Sequence, residues 1–273
     1  MSSTFLLISK KKCDIINYNL FREAKMGSQI KVLGINFDAV TKSEAAARIF
    51  AASQGRQALP FTVVTPNPLM VMNAQGNSDL FAALSNADLS LADGVGVISA
   101  ARHLGTPLPE RVTGIDTGYA VLEKLADVGG SIYLLGAKPG VAELAAEKLT
   151  GNLTGLRVVG THNGYFANDE EIIKAITKTA PDLLIVCLGS PRQEIWVNKN
   201  KNKLSGIGAV ICLGGALDVW AGKIKRAPRL FINLRLEWLW RMLCEPKRMK
   251  NLPLMLKFRL LTRKTRQKAR SFK

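Results

Sequence analysis

From Ile30 onward, short runs of apolar, often β-branched residues alternate with longer stretches in which apolar positions recur every three or four residues. The short runs are "IKVLGI", "FTVVT", "LSLA", "SIYLLG", "LRVVGTH", "DLLIVCLG" and "GAVICLGG". Most lack the strict alternation of a half-exposed strand, so they read as strands buried on both faces. The stretches between them, such as "KSEAAARIFAAS" and "GVAELAAEKLT", have helical length and composition, and Thr41-Lys42-Ser43-Glu44 reads as a capping box for the first of them. Buried strands in alternation with helices predict an α/β fold: a Rossmann-like, largely parallel sheet flanked by helices. The pattern divides the chain into a leader (1–29), an α/β domain (30–222) and a helical C-terminal appendage (223–273).

Charge sharpens that division. The chain carries 38 Lys and Arg against 21 Asp and Glu, and 17 of those bases but only two of those acids fall within 223–273. The appendage is therefore net +15 and the remainder close to neutral. "RLFINLRLEWLWRML" and "NLPLMLKFRLLTRKTRQKAR" mix bulky apolar residues with bases. Leu230, Phe231, Leu234, Trp238 and Met242 approximate one helical stripe. One reading docks this stripe on the domain. The other sets Trp238, Trp240 and Phe258 in a membrane interface while the bases meet anionic headgroups. Nucleic acid is the other polyanion a basic tail suits, but no RRM, KH or helix-turn-helix signature accompanies it.

Several chemistries are excluded early. No apolar run reaches the roughly 18 residues of a membrane span, and the N-terminal apolar run is too short for a signal peptide, which predicts a cytoplasmic chain. Cys13, Cys187, Cys212 and Cys244 are widely spaced, and two lie inside strand-like runs, so they read as reduced thiols rather than disulfides or zinc ligands. With only His103 and His162, neither a His-based metal site nor a Ser-His-Asp triad is expected.

In a parallel sheet, ligands bind at the carboxyl ends of the strands, so the loops after the strands carry the candidates. Gly136, Gly140, Gly189, Gly214 and Gly215 suit close approach of backbone N–H groups to a diphosphate, or plain turns. There is no P-loop. Gly94-Val95-Gly96 is followed by Ser99 where the dinucleotide fingerprint needs a third glycine, which weakens an NAD- or nucleotide-sugar-dependent oxidoreductase without removing it. No Asp-x-Asp pair is present to hold a divalent ion, so no metal and no cofactor is expected. A departing diphosphate would then be met by dipoles and by cations drawn from Arg111, Arg192, Lys225, Arg226 and Arg229. Thr65, Asn67 and Gln193 suit sugar hydroxyls or a base edge. Asn67 equally suits a cap on the helix starting at Pro68, and Thr65 a bond to backbone. Asp93, in "LADGVGV", fits both an N-cap of the following helix and a general base.

Taken together, "TPNPLMVMNA", "LADGVGV", "RVTGIDT", "YLLGAKPGVAE", "HNGYF", "LGSPRQEIW" and "GGALDVWAGKIKRAP" resemble the WecG/TagA/CpsF glycosyltransferase family from about Ile30 to about Lys250, and "LEWLWRMLCEPKRMK" resembles its C-terminal appendage. The resemblance implies an inverting, metal-independent transfer from a UDP-sugar to a polyprenyl-diphosphate-linked saccharide. The sugar would be N-acetylmannosamine or a related hexose, and the pathway cell-surface polysaccharide synthesis. Asp93 would be the base, with Thr65, Asn67 and Arg111 around the reaction. Gln193, Gly136, Asn163, Gly189 and Arg226 would line the substrate site, and Arg241 and Arg248 would close over the diphosphate. The partners implied are the donor, the lipid-linked acceptor and an anionic membrane surface on the inner face of the cell membrane, where the enzyme would sit peripherally. Nucleic acid is not among them, and homo-oligomerisation stays open.

Overall fold

The computed structural model describes residues 28–271, apart from 56, 57, 226, 229, 232, 233, 235 and 245. The leader to residue 27 therefore lies outside the described residues, as do the bases Arg226, Arg229 and Arg235.

The first apolar run does not form one strand. "IKVLGI" divides into β1 (Gln29–Val32) and β2 (Ile35–Asp38), an antiparallel hairpin apart from the main sheet. Its turn is Leu33-Gly34, both at positive φ (47° and 87°), the conformation a tight two-residue hairpin turn needs. Helix α1 (Lys42–Ser53) follows, with both halves of the Thr41–Glu44 capping box in place.

The remaining runs do form the strands expected of them. They are β3 (Phe61–Val64), β4 (Leu89–Ser90), β5 (Ser131–Gly136), β6 (Arg157–His162), β7 (Leu183–Cys187) and β8 (Ala209–Cys212). All pair in parallel, in the order β4-β3-β8-β7-β5-β6. The intervening helices are α2 (Pro68–Ala74), α3 (Ser78–Ser85), α4 (Val95–Leu104), α5 (Gly114–Asp127), α6 (Val141–Asn152), α7 (Asp169–Thr179), α8 (Arg192–Asn200) and the short α9 (Ala216–Trp220). Val63, Ile132, Leu134, Ile185 and Ile211 pack on one face with α1, α5, α6 and α9. Tyr133, Leu135, Leu184, Val186 and Val210 point to the other face, against α7 and α8, and Val64 joins α2, α3, α4 and the hairpin. β5, β7 and β8 are buried at every position because both faces are covered, whereas the edge strand β6 departs from that expectation, exposed at Arg157 and half-buried beyond it.

Carboxylates anchor the amino edge. Asp88 Oδ2 accepts from Thr62 N and Oγ1, both at 2.8 Å, and Asp182 Oδ2 accepts from Ser131 N and Oγ at 2.7 and 2.8 Å. At the short β4, Asp38 Oδ2 takes the Ser90 N–H at 2.8 Å and joins the hairpin to the sheet.

In the appendage, α10 (Glu237–Cys244), a 3-10 turn (Pro246–Asn251) and α11 (Leu252–Ser271) are described. The expected stripe from Leu230 to Met242 is not one helix, since the chain turns at Leu234 before α10 starts. Phe258 also departs from the membrane reading. It is 3% exposed and belongs to the core formed by α2 and α4, so α11 docks on the domain through it. Cys187 and Cys212 are buried on opposite faces of the sheet. Burial pushes the Cys187 thiol up to about 12 and raises Cys212 as well, as expected of inert core thiols.

Candidate active site at the carboxyl edge

The β3 and β4 loops meet at Gly114, the first residue of α5. Asp93 Oδ2 accepts from Gly114 N at 3.3 Å. A Cβ added to Gly114 would lie 2.9 Å from Thr65 Cγ2 and 3.2 Å from Thr65 Oγ1. The Thr65 side chain and the Asp93 carboxylate therefore both approach the Gly114 backbone, where any added side chain would have to push Thr65 or Leu213 aside. Asp93 is half-buried and faces the amino end of the 14-residue α5. It does not cap α4: the N-cap there is Gly94, at φ 131°.

Asn67 and Thr65 do take their structural roles. Asn67 Oδ1 accepts from Leu69 N and Met70 N at 3.0 and 3.1 Å, capping α2, while Thr65 Oγ1 donates to Cys212 O at 3.3 Å. Each role leaves capacity: the cap uses only the Asn67 oxygen, and the Thr65 hydroxyl can still accept. Asn67 is also brought next to Gly94, the residue after Asp93, since a Cβ there would sit 3.7 Å from Asn67 Cβ and 3.2 Å from Pro68 Cδ.

Beside these loops lies a cavity of about 220 Å³, lined by Val95, Ile98, Ser99 and Arg102 of α4 and by Arg111. Sequence reading passed over Arg102. The i, i+3, i+4, i+7 spacing of the four α4 residues was a signal that they share a face. Arg111 is also tied to the appendage, with Nη2 2.5 Å from Glu237 Oε2 on α10 and both side chains less than one-fifth exposed.

The β5–β7 side is built differently. Gly136, at φ 137°, is required by packing, since a Cβ would fall 2.3 Å from Cys187 O. The Asn163 side chain accepts from Tyr165 N at 2.8 Å and forms a local turn. Arg192 donates to Gly164 O at 2.6 Å and lies 4.9 Å from the centre of the Phe166 ring, joining the β6 and β7 loops. Gly189 is at φ 78° with open space at its Cβ. Gln193 is 3% exposed: its Oε1 accepts from Gly214 N at 3.0 Å and its Nε2 donates to Glu194 Oε1 at 2.6 Å. Gln193 thus links the β7 and β8 loops. Asp218, on α9 beside the buried Cys187 thiol, is a further acid at this edge that the motifs did not single out. Arg241 lies in α10 and Arg248 in the 3-10 turn; their side chains are outside what is described.

Among the described residues, no cluster of three or more His, Cys, Asp or Glu side chains is placed to hold a metal. The family described as "Glycosyl transferase WecG/TagA/CpsF family" matches residues 30–272. A protein of Bacillus spizizenii named N-acetylglucosaminyldiphosphoundecaprenol N-acetyl-beta-D-mannosaminyltransferase is 34% identical over 186 residues, 68% of this chain and 72% of its own. A protein of Staphylococcus aureus strain NCTC 8325 with the same name is 32% identical over 235 residues, 84% of this chain and 91% of its own.

Proposed function

The chain belongs to the WecG/TagA/CpsF family of glycosyl transferases, so it is a transferase and not an oxidoreductase, and on that premise we propose its substrates and the roles of its residues. The donor is a UDP-sugar carrying N-acetylmannosamine or a related hexose, and the acceptor is N-acetylglucosamine on a polyprenyl diphosphate; the names of the relatives give those proteins an N-acetylmannosaminyl group to transfer and an N-acetylglucosaminyldiphosphoundecaprenol acceptor. The observation that carries the reading is the meeting of Asp93, Thr65 and Gly114 beside the cavity that holds Arg102 and Arg111.

Inverting transfer is one in-line displacement. The acceptor hydroxyl loses a proton as it attacks the anomeric carbon, and UDP departs with the bonding pair. Asp93 takes that proton as the general base. Thr65 and Asn67 orient the sugars. The guanidinium groups offset charge on a diphosphate, and Val95 and Ile98 offer an apolar wall to the first part of the lipid. At about 220 Å³ the cavity is smaller than the ~300–1,000 Å³ that encloses a whole ligand, so it suits one end of the acceptor.

The lipid-linked acceptor calls for a membrane surface, and α11 has the features to meet one. Leu256 and Leu260 are 55% and 57% exposed on the row that Leu252 begins, interleaved with exposed Lys257, Arg259, Arg263 and Lys264. No described helix is long and apolar enough to cross a membrane. In this reading attachment is peripheral and on the inner face, with about 1 kcal/mol from each base that reaches anionic lipid.

The test is acceptor-dependent UDP release from a panel of UDP-sugars with EDTA present, using a soluble polyprenyl-diphosphate-N-acetylglucosamine analogue. One donor should turn over, and Asp93→Asn should lower kcat by roughly 10²–10⁴-fold. Undiminished turnover by Asp93→Asn would remove its role as base, and silence from every donor would remove the reaction.

A further inference from the structure

Glu194 follows Gln193 in α8 and, at 1% exposure, is the most deeply buried acid among the described residues. Its Oε1 accepts from Gln193 Nε2, and its Oε2 is buried without a hydrogen-bond partner. Burial raises the carboxyl above its usual range, against smaller lowering effects from Gln193, Ser190 and its own backbone N–H. A carboxyl so placed favours the neutral form, which can be buried without a cation.

The direction of the Gln193 amide is set by chemistry. Gly214 N–H is a donor, so the end of Gln193 that meets it is oxygen, and the NH₂ end is turned to Glu194. The resulting line, Glu194 to Gln193 to Gly214, runs from the helix after β7 to the loop after β8. Gly214, at φ 55°, and Gly215, the N-cap of α9, are the last two of the three residues of that loop. Gln193 is too buried to reach a ligand freely, and Glu194 more so. What they control is the turn.

We propose that Glu194 is a positioning residue: its carboxyl locks the Gln193 amide and so holds the Gly214–Gly215 turn in the conformation that receives the donor diphosphate. The donor's identity rests on the function proposed above; the lock does not. An acceptor oxygen at residue 194 is needed because Gln193 Nε2 donates there in a place where water cannot supply a substitute. Without it the amide rotates to find another partner, and Gly214 loses its own.

The experiment compares Glu194→Gln, which keeps an acceptor oxygen, with Glu194→Leu, which does not. The readouts are hydrogen exchange at the Gly214 amide and calorimetric binding of UDP. Glu194→Gln should stay within about twofold of wild type in both, because the oxygen facing Gln193 is retained. Glu194→Leu should expose Gly214 to exchange and weaken UDP binding by roughly tenfold to a hundredfold, the effect of leaving a buried amide unpaired. Equal impairment of the two variants, or wild-type behaviour of Glu194→Leu, overturns the assignment. So does faster Gly214 exchange with UDP affinity intact, since the lock would then serve the fold alone. Should Glu194→Leu not fold, Gln193→Met carries the test: it should reproduce both losses, and wild-type behaviour refutes the lock. A wild type that binds no UDP would overturn the donor reading instead, while the Gly214 comparison still decides whether the lock exists.

Discussion

On the β3–β4 side of the carboxyl edge, Thr65, Asn67 and Asp93 converge next to a cavity with two arginines, whereas on the β5–β7 side Asn163 is taken up in a local turn and Arg192 and Gln193 in joining one loop to another. Both halves are written alike, as strand, glycine, polar residues and helix. Their glycines answer different demands. Gly114 makes room for a reactive-type side chain, Thr65, while Gly136 makes room for a neighbouring carbonyl, Cys187 O. The comparison teaches that a polar residue after a strand is a candidate for chemistry only if its hydrogen-bonding capacity is not already consumed by the loops. The groups we propose to react, Thr65, Asn67 and Asp93, lie in the β3–β4 half, and in that proposal the other half supplies a rigid seat.

The largest effect expected of a test of this contrast is that of Arg111→Ala against Glu237→Gln. Arg111→Ala removes a guanidinium from the cavity and should lower kcat/KM by roughly 10²–10³-fold. Glu237→Gln weakens the tie between Arg111 and α10 while leaving the guanidinium in the cavity, and should lower kcat/KM by less than about tenfold, because the pair is partly solvated. Equal losses in steady-state assays would make Arg111 a docking residue and move the chemistry elsewhere.

Gly114→Ala comes next. The new methyl must displace Thr65 or Leu213 Cδ2, 3.1 Å away, at a cost of about 1–3 kcal/mol in stability. Activity should fall further than the lost stability explains. Thermal melting read beside kcat checks this, and an unchanged kcat would separate Thr65 from the reaction. Asn163→Ala should do least. It loses one exposed turn hydrogen bond, about 0.5–1.5 kcal/mol, with kcat preserved. A hundredfold loss of kcat there would break the contrast between the two halves.

Much of this was legible along the chain. The apolar runs marked all six strands of the parallel sheet, the Thr41–Glu44 box marked the start of α1, and the resemblance to the glycosyltransferase family rested on the loop motifs. The hairpin was missed because an apolar run does not reveal a reversal at Leu33-Gly34, where a non-glycine residue takes positive φ. Phe258 was misassigned because an aromatic among bases reads the same whether its ring meets lipid or α4. Glu194 was passed over because in sequence it is an ordinary first-turn acid of a helix.

By itself, then, the sequence determined what depends on neighbouring residues: the period of burial, the caps, the glycines able to turn, and the basic excess of the last 51 positions. Only the tertiary structure decided which polar groups are left for chemistry. The order β4-β3-β8-β7-β5-β6 sets Thr65 against the Cys212 carbonyl, 147 positions away, and packing of the appendage brings Glu237 to Arg111 across 126. The reason is physical. Periodicity and capping are set by sterics and hydrogen bonds within a turn or a strand, whereas a side chain's remaining hydrogen-bonding capacity depends on every group the fold brings within about 3 Å of it.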